Sequence, residues 1–194
     1  DQEGGLMPDY RAALATRSSY VENVLTHSMI AALAGELWRR DPEVRMDILR
    51  TEVDESGFDL VLTMSGRTRF VQIKQVNSEG KNKSFSVRTD FTLMPGSCVV
   101  VIVHRDFDLA IEGYRYFGAT PNDPMPSVDG FNSSVLPGRR DKEGNKKVRE
   151  HYRDIPGPRF RKLPSVSDLL DALFPNAASQ PAEASQVTAP ALAG

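Results

Sequence analysis

Cysteine is nearly absent from this chain, with Cys98 alone in 194 residues. One cysteine excludes an intramolecular disulfide framework and any multi-cysteine zinc site. Histidine is scarce too. His27, His104 and His151 lie too far apart for a His-x-x-x-His ligand pair. No long apolar run exists, since the longest, Cys98 to Val103, falls far short of the roughly 20 residues a membrane span needs. No apolar stretch of secretory-signal type opens the chain. Helix-turn-helix and zinc-module signals are missing as well, so sequence-specific DNA reading has no visible basis. A soluble, cytoplasmic protein is expected.

What is present is an ordinary globular composition, 40% hydrophobic and 26% charged, of a length suited to one domain. The charge is unevenly placed. Between Arg139 and Lys162 stand ten Lys/Arg against four Asp/Glu, a local net of +6 in a chain whose total is −2. Such asymmetry is the electrostatic footprint of a phosphate-binding surface, although a solvated loop has the same composition.

Periodicity organises the rest. Residues 1–8 read as a disordered or non-native lead, 9–175 as a single domain, and 176–194, with seven alanines, as a disordered Ala/Pro/Ser tail. From about Asp9 to Arg40 the pattern is helical. Val21, Leu25, Met29, Leu33 and Leu37 recur every four residues, and Val24, Ala32 and Trp38 widen the stripe. Ser19 with Glu22 three positions on resembles a capping box, so a fresh helix start is expected near Ser19. Strands are expected over Met46–Glu52, Phe58–Met64, Arg67–Val76, Cys98–His104 and Ile111–Ala119. The stretch from Phe85 to Leu93 is ambiguous. The 40 or so residues after Ala119 are rich in Pro, Gly and charge and read mostly as loop, and Ser165–Phe174 reads as a short amphipathic helix capped by Ser165 or Ser167. The fold class is α/β, a mixed central sheet of about five strands flanked by helices.

The second and third strands meet at Ser65-Gly66. A two-residue loop pairs Met64 with Arg67 and sets Asp59 opposite Gln72. Paired residues share a face and neighbours alternate, so Asp59, Gln72 and Lys74 emerge together. Phe58, Leu60, Leu62, Val71 and Ile73 then form the core side. A carboxylate and a carbonyl oxygen suit Mg²⁺ or Mn²⁺, and the Ile73 backbone carbonyl is a further candidate ligand. A lysine beside them can orient water or offset developing negative charge. These are parts of metal-dependent phosphodiester hydrolysis.

Phe58-Asp59-Leu60-Val61 followed by Val71-Gln72-Ile73-Lys74 resembles the core of the PD-(D/E)xK nuclease superfamily, the restriction-endonuclease-like fold. That core runs helix, three strands, helix, strand, and the likeness extends roughly from Ser19 to His104. The resemblance implies Asp59 and Gln72 as metal ligands and Lys74 as the catalytic lysine. It also implies a glutamate on the first helix, for which Glu22 and Glu36 compete. Gln in the third-strand position is similar to methylation-dependent restriction nucleases and to bacterial domains of unknown function with Asp…Gln-x-Lys. Here Gly57-Phe58 stands in place of the family's proline, and Gln72 replaces an acid, removing one negative charge. DNA is the implied partner, and a homodimer or a separately encoded partner fits the same resemblance.

Each of these residues also has a plain structural role open to it. Asp59 can shape the turn into its strand, Lys74 can be an edge charge and Glu22 a cap. A non-catalytic nucleic-acid- or protein-binding module, or an accessory subunit, is therefore the alternative to a nuclease. If the site faces a phosphodiester, Arg139, Arg140, Lys146, Lys147, Arg149 and Arg153 are the candidates for holding its backbone. Tyr152 and Phe160 are candidates for stacking on unpaired bases.

Overall fold

A computed structural model describes residues 9–50, 57–80, 84–136, 138 and 146–175. The expected lead over 1–8 and the expected tail over 176–194 lie outside the described residues. Two helices open the fold, α1 (Tyr10–Thr16) and α2 (Ser18–Arg40), separated by Arg17 alone. The break was expected near Ser19, but the capping box is not there. Ser18 is already helical, Arg17 occupies the cap position without a side-chain hydrogen bond, and Ser19 and Glu22 sit inside α2. The four-residue recurrence does bury Val21, Leu25, Met29, Leu33 and Leu37. Trp38, expected to widen the stripe, is 69% exposed.

Strands β1 (Met46–Arg50), β2 (Leu60–Met64) and β3 (Arg67–Asn77) form an antiparallel meander. After β4 (Ser84–Arg88) and the single helical turn α3 (Thr89–Thr92), the chain returns as β5 (Ser97–His104), parallel to β3. This crossover lets β5 be buried on both faces, which is why it reads as a continuous apolar run. β6 (Ile111–Gly118) pairs antiparallel with β5. The stretch beyond Ala119, expected to be mostly loop, also carries strands. That stretch contains β7 (Ser133–Val135), β8 (Val148–Pro156) and β9 (Arg161–Leu163), the last after a 3₁₀ turn at Gly157–Arg159. The closing helix is α4 (Val166–Leu173), with the Ser165 hydroxyl accepting from the Asp168 amide and the Asp168 carboxylate from the Ser165 amide, a reciprocal cap.

The result is a mixed α/β architecture. A six-stranded sheet runs β1-β2-β3-β5-β6-β9, one strand more than expected, and a three-stranded sheet runs β4-β8-β7. Two apolar layers hold the elements together. One joins α2 and α4 to one face of the large sheet through Leu25, Leu33, Leu60, Leu62, Val100 and Leu170. The other joins the small sheet to the opposite face through Phe85, Val87, Ile155, Val99, Val101 and Phe117. Among the described residues no helix is long and apolar enough to cross a membrane.

Candidate functional site

The β2–β3 hairpin positions the residues of interest. Ser65 and Gly66 both have positive φ, 49° and 73°, the geometry of a two-residue turn whose twist matches the strands it joins. Met64 pairs with Arg67 and Leu60 with Val71, the expected register. Beyond Leu60 the ladder stops, and β2 begins two residues later than expected. Gly57, with φ +79°, bends the chain there. Phe58 consequently leaves the core side assigned to it. Its ring meets Phe70 edge-on at 5.1 Å and lies tilted against Phe91 at 6.1 Å, in the layer beneath the small sheet.

Asp59 holds the point where β2 departs from β3. Its backbone amide donates to the Val71 carbonyl at 2.9 Å, and its Oδ2 accepts from the Ile73 amide at 2.6 Å. The carboxylate thus serves an N–H that the missing strand would otherwise have paired. Ile73 belongs to the site through this amide. Gln72, 8% exposed, lies on the face carrying Phe70 and Val99, and its Oε1 is buried without a hydrogen-bond partner. A buried amide oxygen without a protein donor is able to accept a hydrogen bond or coordinate a cation. Lys74 follows on the same face, half-buried, beside Val101.

The register across the sheet adds residues that the sequence alone did not single out. Lys74, Val101, Arg115 and Lys162 form one cross-strand row over β3, β5, β6 and β9. Three cations on one row require knowing that β5 separates β3 from β6, and no local signal gives that order.

The two helix glutamates separate clearly. Glu36 accepts from Arg39 at 2.8 Å and from Arg40 at 2.8 Å, and Arg40 goes on to Asp171 and Ser167 of the α4 region. Hydrogen bonds from Arg39 and then Arg40 hold its carboxyl down at about 2. Glu36 therefore belongs to the α2–α4 junction and not to the site. Glu22 is exposed near the other end of α2. Asn23 beside it and His27 one turn further contact the Arg50 guanidinium, both at 3.3 Å, and Arg50 pairs with Leu60 next to Asp59. Glu22 thus lies at the end of α2 that meets Arg50 of β1, and it is not part of a cluster: no three His, Cys, Asp or Glu among the described residues form a metal-holding group.

Among the described residues of the basic segment, Val148–Pro156 form β8. Tyr152 of β8 pairs with Arg88 of β4, and a Cβ built on Gly57 would lie 3.3 Å from the Arg88 side chain. β8 therefore sits one strand from the bend before Asp59. Lys146 and Lys147 are exposed, and the Arg149 guanidinium lies over the Tyr152 ring at 3.3 Å. Arg153 donates to the carbonyls of Glu150 at 2.7 Å and Tyr152 at 3.2 Å. Phe160 is buried against Phe85 and Phe117, so it offers no stacking platform. Arg139 and Arg140 lie outside the described residues.

No known family model, curated protein or solved structure matches this chain. The site is therefore read from its own chemistry.

Proposed function

We propose that the chain is a metal-dependent nuclease hydrolysing phosphodiester bonds of DNA, built on a restriction-endonuclease-like core. The observation that supports this reading is the Asp59 carboxylate accepting from the amide of Ile73, the residue between Gln72, whose Oε1 is orphaned, and Lys74. Two hard oxygen donors suit Mg²⁺ or Mn²⁺, with the Ile73 carbonyl or Glu22 as further ligands. A cation held there supplies an acidified water and charge compensation at a phosphoryl oxygen. Lys74 orients the attacking water or offsets charge on the pentacoordinate phosphorus. Arg115 and Lys162, in its row, hold the flanking phosphates, and the basic β8 extends the same sign of charge.

A second reading, a binding module that keeps the fold without cutting, draws on the Asp59 hydrogen bond. The Ile73 amide already engages Oδ2, and Gln72 brings no negative charge to hold a cation. The deciding experiment is a cleavage assay on single-stranded, duplex and branched DNA, with Mg²⁺ or Mn²⁺ against EDTA. Metal-dependent cutting by the wild type, lost in Lys74→Ala, is the expected result. Salt-sensitive binding without cutting under either ion transfers the assignment to the binding module.

A further inference from the structure

A second polar cleft lies on the opposite face of β3. The register pairs Gln75 with Ile102 and Asn77 with His104, so Gln75 and His104 share the face turned toward the helices. This is the carboxyl end of the two parallel strands, where open α/β sheets place their ligands. There a cleft of about 250 Å³ is lined by Leu14, Gln75, Asn77, His104 and Asp106.

Its polar atoms are unbalanced. Gln75 Oε1 and Asp106 Oδ1 are both buried with no hydrogen-bond partner. His104 is 4% exposed, and its Nδ1 lies 3.1 Å from the Arg105 carbonyl and 3.9 Å from Asp106 Oδ1. A carbonyl only accepts, so Nδ1 is the donor in this contact and Nε2 is the ring nitrogen left for a ligand. Asn77 is committed elsewhere, its Oδ1 accepting from the Glu79 amide at 2.6 Å. Three acceptors remain: an amide oxygen, a carboxylate and an imidazole nitrogen. No lysine or arginine lines the cleft among the described residues. Arg105, the nearest cation in sequence, is turned to Asp108 and Glu112.

We propose that His104, Asp106 and Gln75 form a binding site for a divalent transition-metal ion of the Zn²⁺ or Mn²⁺ type. Mixed nitrogen and oxygen donors select that class over Mg²⁺. The His104 Nδ1 contact to a backbone carbonyl is the outer-shell bond that metal-bound histidines make, fixing the tautomer with Nε2 free. His104 also stands where β5 and β6 slip register, between Val103 and His104, an irregularity that re-aims a side chain. The site is distinct from the hairpin: Gln75 is on the opposite face of β3 from Gln72 and Lys74.

Calorimetric titration of the EDTA-stripped whole chain with ZnCl₂, and electron paramagnetic resonance with MnCl₂, test it. One equivalent is expected to remain bound in Asp59→Asn, whose hairpin donors are weakened, and to bind tenfold or more weaker once Asp106→Asn is added. Should Asp106→Asn not fold, Gln75→Glu answers instead, since an added carboxylate tightens binding tenfold or more. No saturable binding of either ion by the wild type overturns the proposal and leaves the cleft to water. Binding lost in Asp59→Asn but kept in Asp106→Asn overturns it equally, by moving the ion to the hairpin. Unchanged affinity in Gln75→Glu does the same.

Discussion

Asp59 Oδ2 accepts a hydrogen bond from the Ile73 backbone amide at 2.6 Å, so one carboxylate both ends a strand ladder and stands at the candidate site. The two roles separate by substitution. Asp59→Asn keeps an oxygen for the Ile73 amide, whereas Asp59→Ala leaves that N–H without its acceptor. Asp59→Ala is expected to lower stability by about 1–3 kcal/mol, with Asp59→Asn close to wild type. Cleavage is expected to be lost in both. Urea denaturation beside the cleavage assay reads the two separately. An Asp59→Asn protein that folds normally and still cuts at the wild-type rate removes the carboxylate from the chemistry.

The same region shows what a sequence discloses. The hairpin was legible because Ser65-Gly66 admits the positive φ of a two-residue turn, and that turn fixes every pair from Met64 and Arg67 to Leu60 and Val71. Helix α2 was legible because its buried residues recur at the helical period. Strand β8 was not. It lies in an outer sheet, and Ile155 is its one residue in the shared apolar layer, so no alternation marks it. Phe58 was misplaced because strand alternation cannot be carried across the bend at Gly57. The Lys74–Arg115 row depended on strand order, which only the assembled sheet supplies.

Arg69 is fully buried on the helix-facing side of β3, where the pattern calls for an apolar residue. Its Nε donates to the Leu173 carbonyl at 2.6 Å, and Nη2 to the carbonyls of Ala119 at 2.7 Å and Ala172 at 3.1 Å. A guanidinium thus closes the carboxyl end of α4, where the helix dipole favours a cation. Arg69→Met fills much of the space but takes the donor from the Leu173 and Ala172 carbonyls and leaves Ala119 with the Tyr116 hydroxyl at 3.1 Å. A loss of roughly 2–4 kcal/mol is expected, read from the urea midpoint at constant slope. A change under about 0.5 kcal/mol shows that water replaces the guanidinium.

Glu36 gives the fold an acid-sensitive junction. Its carboxyl is held down from its ordinary 4.5 to about 2 by Arg39 and Arg40. A depressed folded-state value means the contribution is complete above about pH 4.5 and disappears as pH falls toward 2. Wild-type stability should therefore decline across that window, and Glu36→Gln should show a shallower decline there and lower stability at neutral pH. Urea midpoints at intervals from pH 7 to pH 2 make the comparison. Parallel curves for the two proteins place the acid sensitivity elsewhere.

Salt dependence distinguishes a nucleic-acid surface from solvated charge. Each phosphate neutralised by Lys or Arg releases condensed counterions, so log K falls with log salt by about 0.7–0.9 per contact. Lys146 and Lys147 are exposed at the start of β8, and Arg115 shares the row with Lys74. Lys146→Ala/Lys147→Ala is expected to reduce the slope by about 1.5 and Arg115→Ala by about 0.8. Arg149→Ala should cost more affinity than one ionic contact, because its guanidinium also lies over Tyr152 at 3.3 Å. Arg39, tied to Glu36 on the helix layer, is the control, and Arg39→Ala should leave the slope unchanged. Fluorescence anisotropy with labelled DNA between 50 and 300 mM salt, roughly the range over which such contacts differ most, gives each slope. Slopes unchanged in the β8 variants but lowered in Arg115→Ala would confine the DNA path to the large sheet and leave the charge around β8 solvated.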